Sequence, residues 1–338
     1  MADKYNVITP DLGQANAVIL TDEQRKLLSE DLIKMIYPRS VFYQAATIRQ
    51  DFEAGQAGRI EFTVLGELDK GAKLTEGVPI ETKAVTSSKK YLDVYEWGNA
   101  IKVSELAIRK TPWKVLKENN LLLADDARLT LDTSFRDVIS GTSNVSYAPL
   151  NTDVTSVPGS YAEFTTAHTF SDDYIDYLGE MMENLKAIPF VDPVSGEEYF
   201  LMFAHQHQVR AMKRIFDDAS NKIFTPVKQY GISRGIRRGE VGMIDRFRVI
   251  ETRLSLNGYS TANQYAEDET LLGGGTGTLP LYEAYLVGRN GLGFAESVSP
   301  EIRIGGIEDF GRMRSVAWYG IWGSGLINEN CVAKVVTA

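Results

Sequence analysis

Apolar and polar residues alternate from Arg59, where Ile60, Phe62 and Val64 interleave with Arg59, Glu61 and Thr63. Alternation returns, with polar residues in excess, through TKAVTSSKKYLDVYEW. Between the two runs, Gly66, Gly71, Gly77 and Pro79 break the pattern around LTEGVP, residues 74–79. A period of two predicts long strands joined through that segment. Strands with so few apolar positions bury little on either face, and a two-stranded ribbon alone in water is marginal. The hairpin is therefore expected to lie on a neighbouring molecule, with Leu74, Thr75, Glu76, Gly77, Val78 and Pro79 at its contacting tip.

Helical spacing appears on either side. Residues 1–20 carry no sustained period and read as an extended arm; Thr21 and Gln24 then have the spacing of a capping box. Leu28, Leu32, Met35 and Ile36 give the following helix one apolar face, which ends where Pro38 disfavours helical geometry at Tyr37. A short amphipathic helix on an arm needs a surface, and these four residues are expected to touch another subunit. The longest helix is predicted at 112–141, with Thr111 as cap, Pro112 in the first turn and Gly141 at the end. Its apolar stripe is Ala124, Ala127, Leu131, Phe135 and Val138, and its length makes it a spine.

Beyond the spine, GTSNVSYAPLNTDVTSVPGSY is rich in turn-forming residues and marks a boundary. Ser171 caps a helix that carries Asp172 and Asp173 in its first turn. A hairpin is predicted around DPVSG, then a helix over HQVRAMKRIFDDA and strands in GEVGMIDRFRVIETR. The glycine-rich stretch with Gly273, Gly274, Gly275 and Gly277 has a backbone free to take positive φ and reads as a surface loop. Strands dominate to the end, where SVAWYGIWG and NCVAKVVTA are expected to pair.

Composition narrows the function. The chain has 338 residues, enough for roughly two domains without a disulfide or metal to hold them. The single cysteine, Cys331, reads as a small buried hydrophobe, and a reducing compartment fits. No apolar run approaches the ~20 residues that span a bilayer. Thirty-six Lys and Arg against 45 Asp and Glu give a net charge of -9, which opposes broad attachment to nucleic acid. Catalytic motifs fail one by one. His205 and His207 form H-x-H but lack a third placed ligand, and His168 has no partner in sequence. GRNGLG has the wrong glycine order for a dinucleotide loop and reads as a turn. GIWGSG fails as a nucleophile elbow because Trp322 occupies the place of the first glycine, two residues before Ser324. Asp125 with Asp126 and Asp172 with Asp173 read as solvated faces or caps. Arg234, Arg237 and Arg238 could meet a phosphate, but in so acidic a chain ion pairs between subunits are the expected reading.

GAKLTEGVPIE, then VYEWGNAIKVSELA, ADDARLTLDTSF, GTSNVSYA, FLMFAHQHQVRAMKR, GEVGMIDRFRVIETR and RIGGIEDFGRMRSVAWYGIWG, in that order, resemble tailed-bacteriophage major capsid proteins of the Hong Kong 97-like fold. The resemblance spans nearly the whole chain. It implies an α+β fold with an N-terminal arm at 1–52, an extended E-loop at 53–95, a peripheral domain at 96–144 around the spine helix, an axial domain at 145–300 and a return to the peripheral domain at 301–338. It also implies a non-enzymatic, self-assembling icosahedral shell of hexamers and pentamers in the virion, put together in the host bacterial cytoplasm, with no cofactor, no metal and no membrane. The implied partners are a separate scaffolding protein, a portal, a cement protein and double-stranded DNA enclosed without sequence-specific binding. Gly273, Gly274, Gly275 and Gly277 would then lie near the capsomer axes. An encapsulin-like cargo shell and, more remotely, a β-rich enzyme are the alternatives.

Overall fold

The structure is a computed structural model and describes residues 22–51, 59–65, 71, 73, 82, 84–110, 115–150, 155–159, 163–216, 221–230, 235–255, 257–259, 265–266, 280–305, 309 and 312–338. In chain order, α1 (Asp22–Ile36) leads through short 3₁₀ turns to β1 (Ala46–Asp51), followed by β2 (Arg59–Leu65), β3 (Ser87–Asp93), β4 (Tyr95–Ser104), α2 (Glu105–Lys110), α3 (Val115–Ser140) and β5 (Val145–Tyr147). Next come α4 (Asp172–Asn184), β6 (Phe190–Val191), β7 (Glu198–Ala204), α5 (Gln206–Met212), β8 (Thr225–Pro226), β9 (Glu240–Ile244) and β10 (Phe247–Glu251). The chain ends with β11 (Asn257–Tyr259), β12 (Tyr265–Ala266), β13 (Pro280–Val287), β14 (Leu292–Ile304), β15 (Met313–Leu326) and β16 (Val332–Thr337).

The strands form a four-stranded sheet in the order β1-β14-β15-β4, a ten-stranded sheet built on β7, β10 and β13, and the separate two-stranded ribbon β2-β3. In the four-stranded sheet β1 runs parallel to β14, and the other pairings are antiparallel. β7 is nearly all apolar, as a strand buried on both faces requires, and every residue from Tyr199 to Ala204 is buried. On one side of the large sheet α4 and α5 bury Tyr174, Ile175, Leu178, Met182, Val209 and Met212. On the other side α3 lays Ala124, Ala127, Leu131 and Phe135 into the main core, with Phe203 and Tyr285 of the large sheet and Trp318 and Phe294 of the small one. The spine is thus the shared support of both sheets.

Several expectations hold. The spine runs over 26 residues, about 39 Å at 1.5 Å per residue, although its expected cap and first turn, 111–114, lie outside the described residues. Leu123 and Ile139 join the predicted stripe, and Val138 packs at its margin. Ser171 caps α4 by accepting from the Tyr174 N–H, and the hairpin around DPVSG closes with Gly196 at φ +74°. GRNGLG is a turn, with Asn290 in the left-handed region at φ 64°. Cys331 is fully buried, and burial pushes its thiol pKa up.

Other expectations change. SVAWYGIWG and NCVAKVVTA do not pair with each other: β15 lies between β14 and β4, whereas β16 lies between β13 and β5 in the large sheet. Both strands are apolar, and that pattern specifies burial without naming the partner. Sheet membership changes at the turn between β13 and β14. The second long strand of the ribbon is also two strands, since pairing passes from β2 to β15 across Val94.

Candidate assembly interface

The ribbon stands apart from both sheets. Arg59 to Leu65 pair antiparallel with Asp93 to Ser87, which brings Ile60 opposite Leu92. This one apolar pair is buried, against Ala295, with Phe62 and Val94 at the edge of the cluster. Ser87 to Tyr91 are all exposed. Their cross-strand contacts are ionic: Arg59 to Asp93 and Lys89 to Glu61, each at 2.6 Å, with the Arg59 guanidinium 5.1 Å from the centre of the Tyr91 ring. The hydrogen bond from Arg59 holds the Asp93 carboxyl below the usual carboxylate range. Pairs this exposed contribute little to stability in water. Among the described residues, therefore, the ribbon is fixed at its root and presents Val85, Tyr91 and Tyr95, each more than half exposed, to its surroundings.

The root sits on glycines. A side chain at Gly323 would collide with the Asp93 carbonyl and come within 2.8 Å of Leu92 Cδ2; one at Gly293 would meet Ile327 Cγ1 at 2.8 Å and Leu92 Cδ1 at 3.4 Å. GIWGSG, a failed elbow as a motif, is thus part of β15, with Gly323 letting β3 cross it closely. The predicted tip, Leu74, Thr75, Glu76, Gly77, Val78 and Pro79, lies outside the described residues, as do Gly273, Gly274, Gly275 and Gly277.

The arm helix corrects the sequence expectation. Leu32 and Ile36 are 1% and 0% exposed in the subunit's own core, and Met35 packs against the same cluster. The Leu28 side chain, and Thr21 with the capping box, lie outside what is described. Periodicity identified a buried face correctly, but the covering surface is α3 and β14 of the same chain. The helix is held there by polar contacts too. Ser29 Oγ accepts from the Ile302 N–H at 3.2 Å. The fully buried Asp132 on α3 accepts from Ser40 Oγ and from the Val41 and Phe42 N–H groups at 2.9 and 3.0 Å. Burial raises the Asp132 carboxyl pKa, while these donors and Arg128 oppose the rise.

The residues considered for chemistry serve structure. His205 and His207 do face one way: their rings stack 5.3 Å apart and both stack on Tyr282. His205 caps α5, and Gln208 completes the capping box while donating to the Tyr282 carbonyl and Thr337 Oγ1 at 3.1 and 2.9 Å. Among the described residues no group of three or more His, Cys, Asp and Glu is placed to hold a metal. His168 Nδ1 accepts from the Thr165 N–H at 2.8 Å. Within the chain, Arg237 donates to Tyr199 Oη at 2.7 Å and Arg238 to the Pro38 carbonyl; Arg234 lies outside the described residues.

Three links made by buried or half-buried charges differ from the sequence reading, which left four of these residues unassigned and put Asp126 on a solvated face. Asp126 accepts from Trp318 Nε1 at 2.7 Å and Asn99 Nδ2 at 3.1 Å, tying the spine to β15 and β4. Asp192 and Arg248 form an ion pair, 1% and 2% exposed. Lys334, 3.4 Å from the buried Glu283, also donates to the Ser140 carbonyl at the end of α3, where a cation suits the helix dipole. Such partners are far apart in sequence, so no local spacing signals them.

A family model described as "Phage capsid protein" matches residues 87–335. Among solved structures, the capsid of Ralstonia phage GP4 superposes with a TM-score of 0.63 at 16% identity, covering 89% of this chain and 92% of that one. The cyanophage Pam1 capsid asymmetric unit gives 0.60 at 14% identity over 89% and 93%. The capsid of cyanophage P-SCSP1u gives 0.55 at 10% identity over 88% of each. These likenesses are of fold. No curated protein sequence matches the chain.

Proposed function

The chain belongs to the phage capsid protein family, and from that premise we propose how its parts divide the work of assembly. It is a major capsid protein of the Hong Kong 97-like fold, a structural component of the virion and not an enzyme, and many copies of it build the head shell. The ribbon is the E-loop (53–95), which clasps a neighbouring subunit through residues 74–79. The arm is 1–52, the peripheral domain comprises 96–144 and 301–338, and the axial domain is 145–300, with the 273–277 glycines near the axes of hexamers and pentamers. A separate scaffolding protein, a portal and a cement protein complete the particle, which is assembled in the host bacterial cytoplasm. Double-stranded DNA is enclosed without sequence-specific contacts.

One observation carries the clasp: a strand pair outside both sheets, rooted on a single buried apolar pair, with mostly exposed strand residues beyond it. Interface sheet formed on a neighbour satisfies strands that a lone subunit leaves in water, and modest contacts add up over many copies. Replacing residues 68–78 by a short glycine bridge should leave a soluble, folded subunit that makes no stable shells in electron micrographs. Normal, heat-resistant shells from that variant would remove the clasp from the mechanism.

A further inference from the structure

His205 joins β7 to α5, and β7 lies between β10 and β13 in the large sheet. The side chain is 1% exposed. Its Nδ1 accepts from the His207 N–H at 3.4 Å, while its own backbone N–H donates to Gln208 Oε1 at 3.0 Å. Gln208, itself buried, turns its amide nitrogen to the Tyr282 carbonyl on β13 and to Thr337 Oγ1 at the end of β16. One capping box thus fastens the start of the helix to two strands of the sheet. Serine, threonine, aspartate and asparagine are the usual caps, and their oxygens accept at neutral and mildly acid pH alike.

An imidazole differs, because the nitrogen that accepts must carry no proton. When Nδ1 accepts, the neutral ring holds its proton on Nε2; an imidazolium donates from both nitrogens. Protonation therefore removes the acceptor and sets a donor against the His207 N–H. The His207 and Tyr282 rings stack on His205 at 5.3 and 4.7 Å. The charged groups on the surrounding elements point elsewhere or stand in solvent. Arg210 on α5, Glu251 at the end of β10, and Asp173, Asp176, Glu180 and Glu183 on α4 are exposed. Glu283 on β13 is engaged with Tyr285 and Lys334, on the face opposite Tyr282. Beyond Thr337, the Ala338 N–H donates to the carbonyl of the buried His168. The neutral ring is the form that caps, so this bond is present above about pH 6.5, where a free imidazole loses its proton, and is lost as the pH falls below it.

We propose that His205 is a proton-sensitive latch on the junction of β7 and α5: in mild acid its Nδ1 ceases to accept, the capping box opens, and Gln208 no longer ties the helix to Tyr282 and Thr337. The latch belongs to the single subunit and does not rest on the shell function. It works above the range in which ordinary carboxylates take up protons.

Urea unfolding of dissociated subunits at pH 7.5 and pH 5.5 tests the latch. A ring held neutral in the folded chain and free to protonate in the unfolded one raises the unfolding equilibrium constant about tenfold over that interval. His205→Asn keeps a capping oxygen and removes the ring, so the constant should rise about tenfold more in the wild type than in the variant. Equal rises overturn the latch. A measurement on the wild type decides the case even where the variant fails to fold. The chain has three histidines, and their ring signals in histidine-labelled subunits are assigned through bonds from the backbone by NMR. The His205 signal should remain that of a neutral ring with its proton on Nε2 at pH 5.5. A His205 ring that titrates with a midpoint near pH 6.5 in folded subunits, or that carries its proton on Nδ1 at pH 7.5, overturns the proposal.

Discussion

Asp192 and Arg248 exchange almost all of their water for each other. Asp192 also accepts from the Val194 N–H at 2.9 Å, and the Arg248 guanidinium lies 3.8 Å from the centre of the Tyr199 ring. The Val194 N–H first, then Arg248, lower the carboxyl pKa to about 2 against the opposing effect of burial. A folded value below the unfolded one means stability present above about pH 4 and lost as the pH falls toward 2. The change corresponds to on the order of 2 kcal/mol. Asp192→Asn should therefore unfold in urea with a flatter pH dependence between pH 5 and pH 2.5 than the wild type. Removing one partner of a buried pair also costs about 3–5 kcal/mol, so the variant should be less stable at pH 7. Equal pH slopes would show that the pair does not control acid sensitivity. Leu32 makes the second case at this scale. Since it is buried in the subunit's own core, Leu32→Ala should cost about 2–5 kcal/mol, measured as urea unfolding of the dissociated subunit. An unchanged subunit with failing shells would return the helix to the surface of a neighbour.

Among the elements, the ribbon and β15 depend on one close crossing. Gly323→Val would press a branched side chain against the Asp93 carbonyl and Leu92. Backbone cannot retreat as a side-chain tip can, so the ribbon root should lift from the sheet while the main core, on α3, stays intact. The expected result is a subunit that unfolds within about 2 kcal/mol of the wild type but fails to assemble. Wild-type shells from Gly323→Val would mean that the root tolerates displacement. The elements themselves were legible wherever the sequence carried a local period: the spine stripe, the Ser171 cap, the DPVSG hairpin and the ribbon all come from spacing within a few residues. Partnership was not. The same periodicity that identified Leu32 and Ile36 as buried could not say that α3 and β14 bury them. The apolar run at 332–337 reads from sequence as a partner of the 315–323 run, whereas it fills the space between β13 and β5. Asp126 with Trp318, and Asp192 with Arg248, are pairings of tertiary structure, invisible to any window along the chain.

At the scale of the whole molecule, charge sets what the shell does with its contents. Each copy carries -9, and a phosphate backbone is bound through cations that displace its counterions. DNA should therefore be confined by the closed wall rather than held by it. Dissociated subunits mixed with double-stranded DNA at physiological salt should bind no more tightly than about 10⁻⁴ M, the weak end of non-specific binding, in a mobility or anisotropy assay. Purified heads should contain nucleic acid, whereas a cargo compartment would contain a second protein. A salt-sensitive affinity near 10⁻⁶ M would require a basic surface that survives assembly, and would replace passive confinement with direct attachment of the genome to the inner wall.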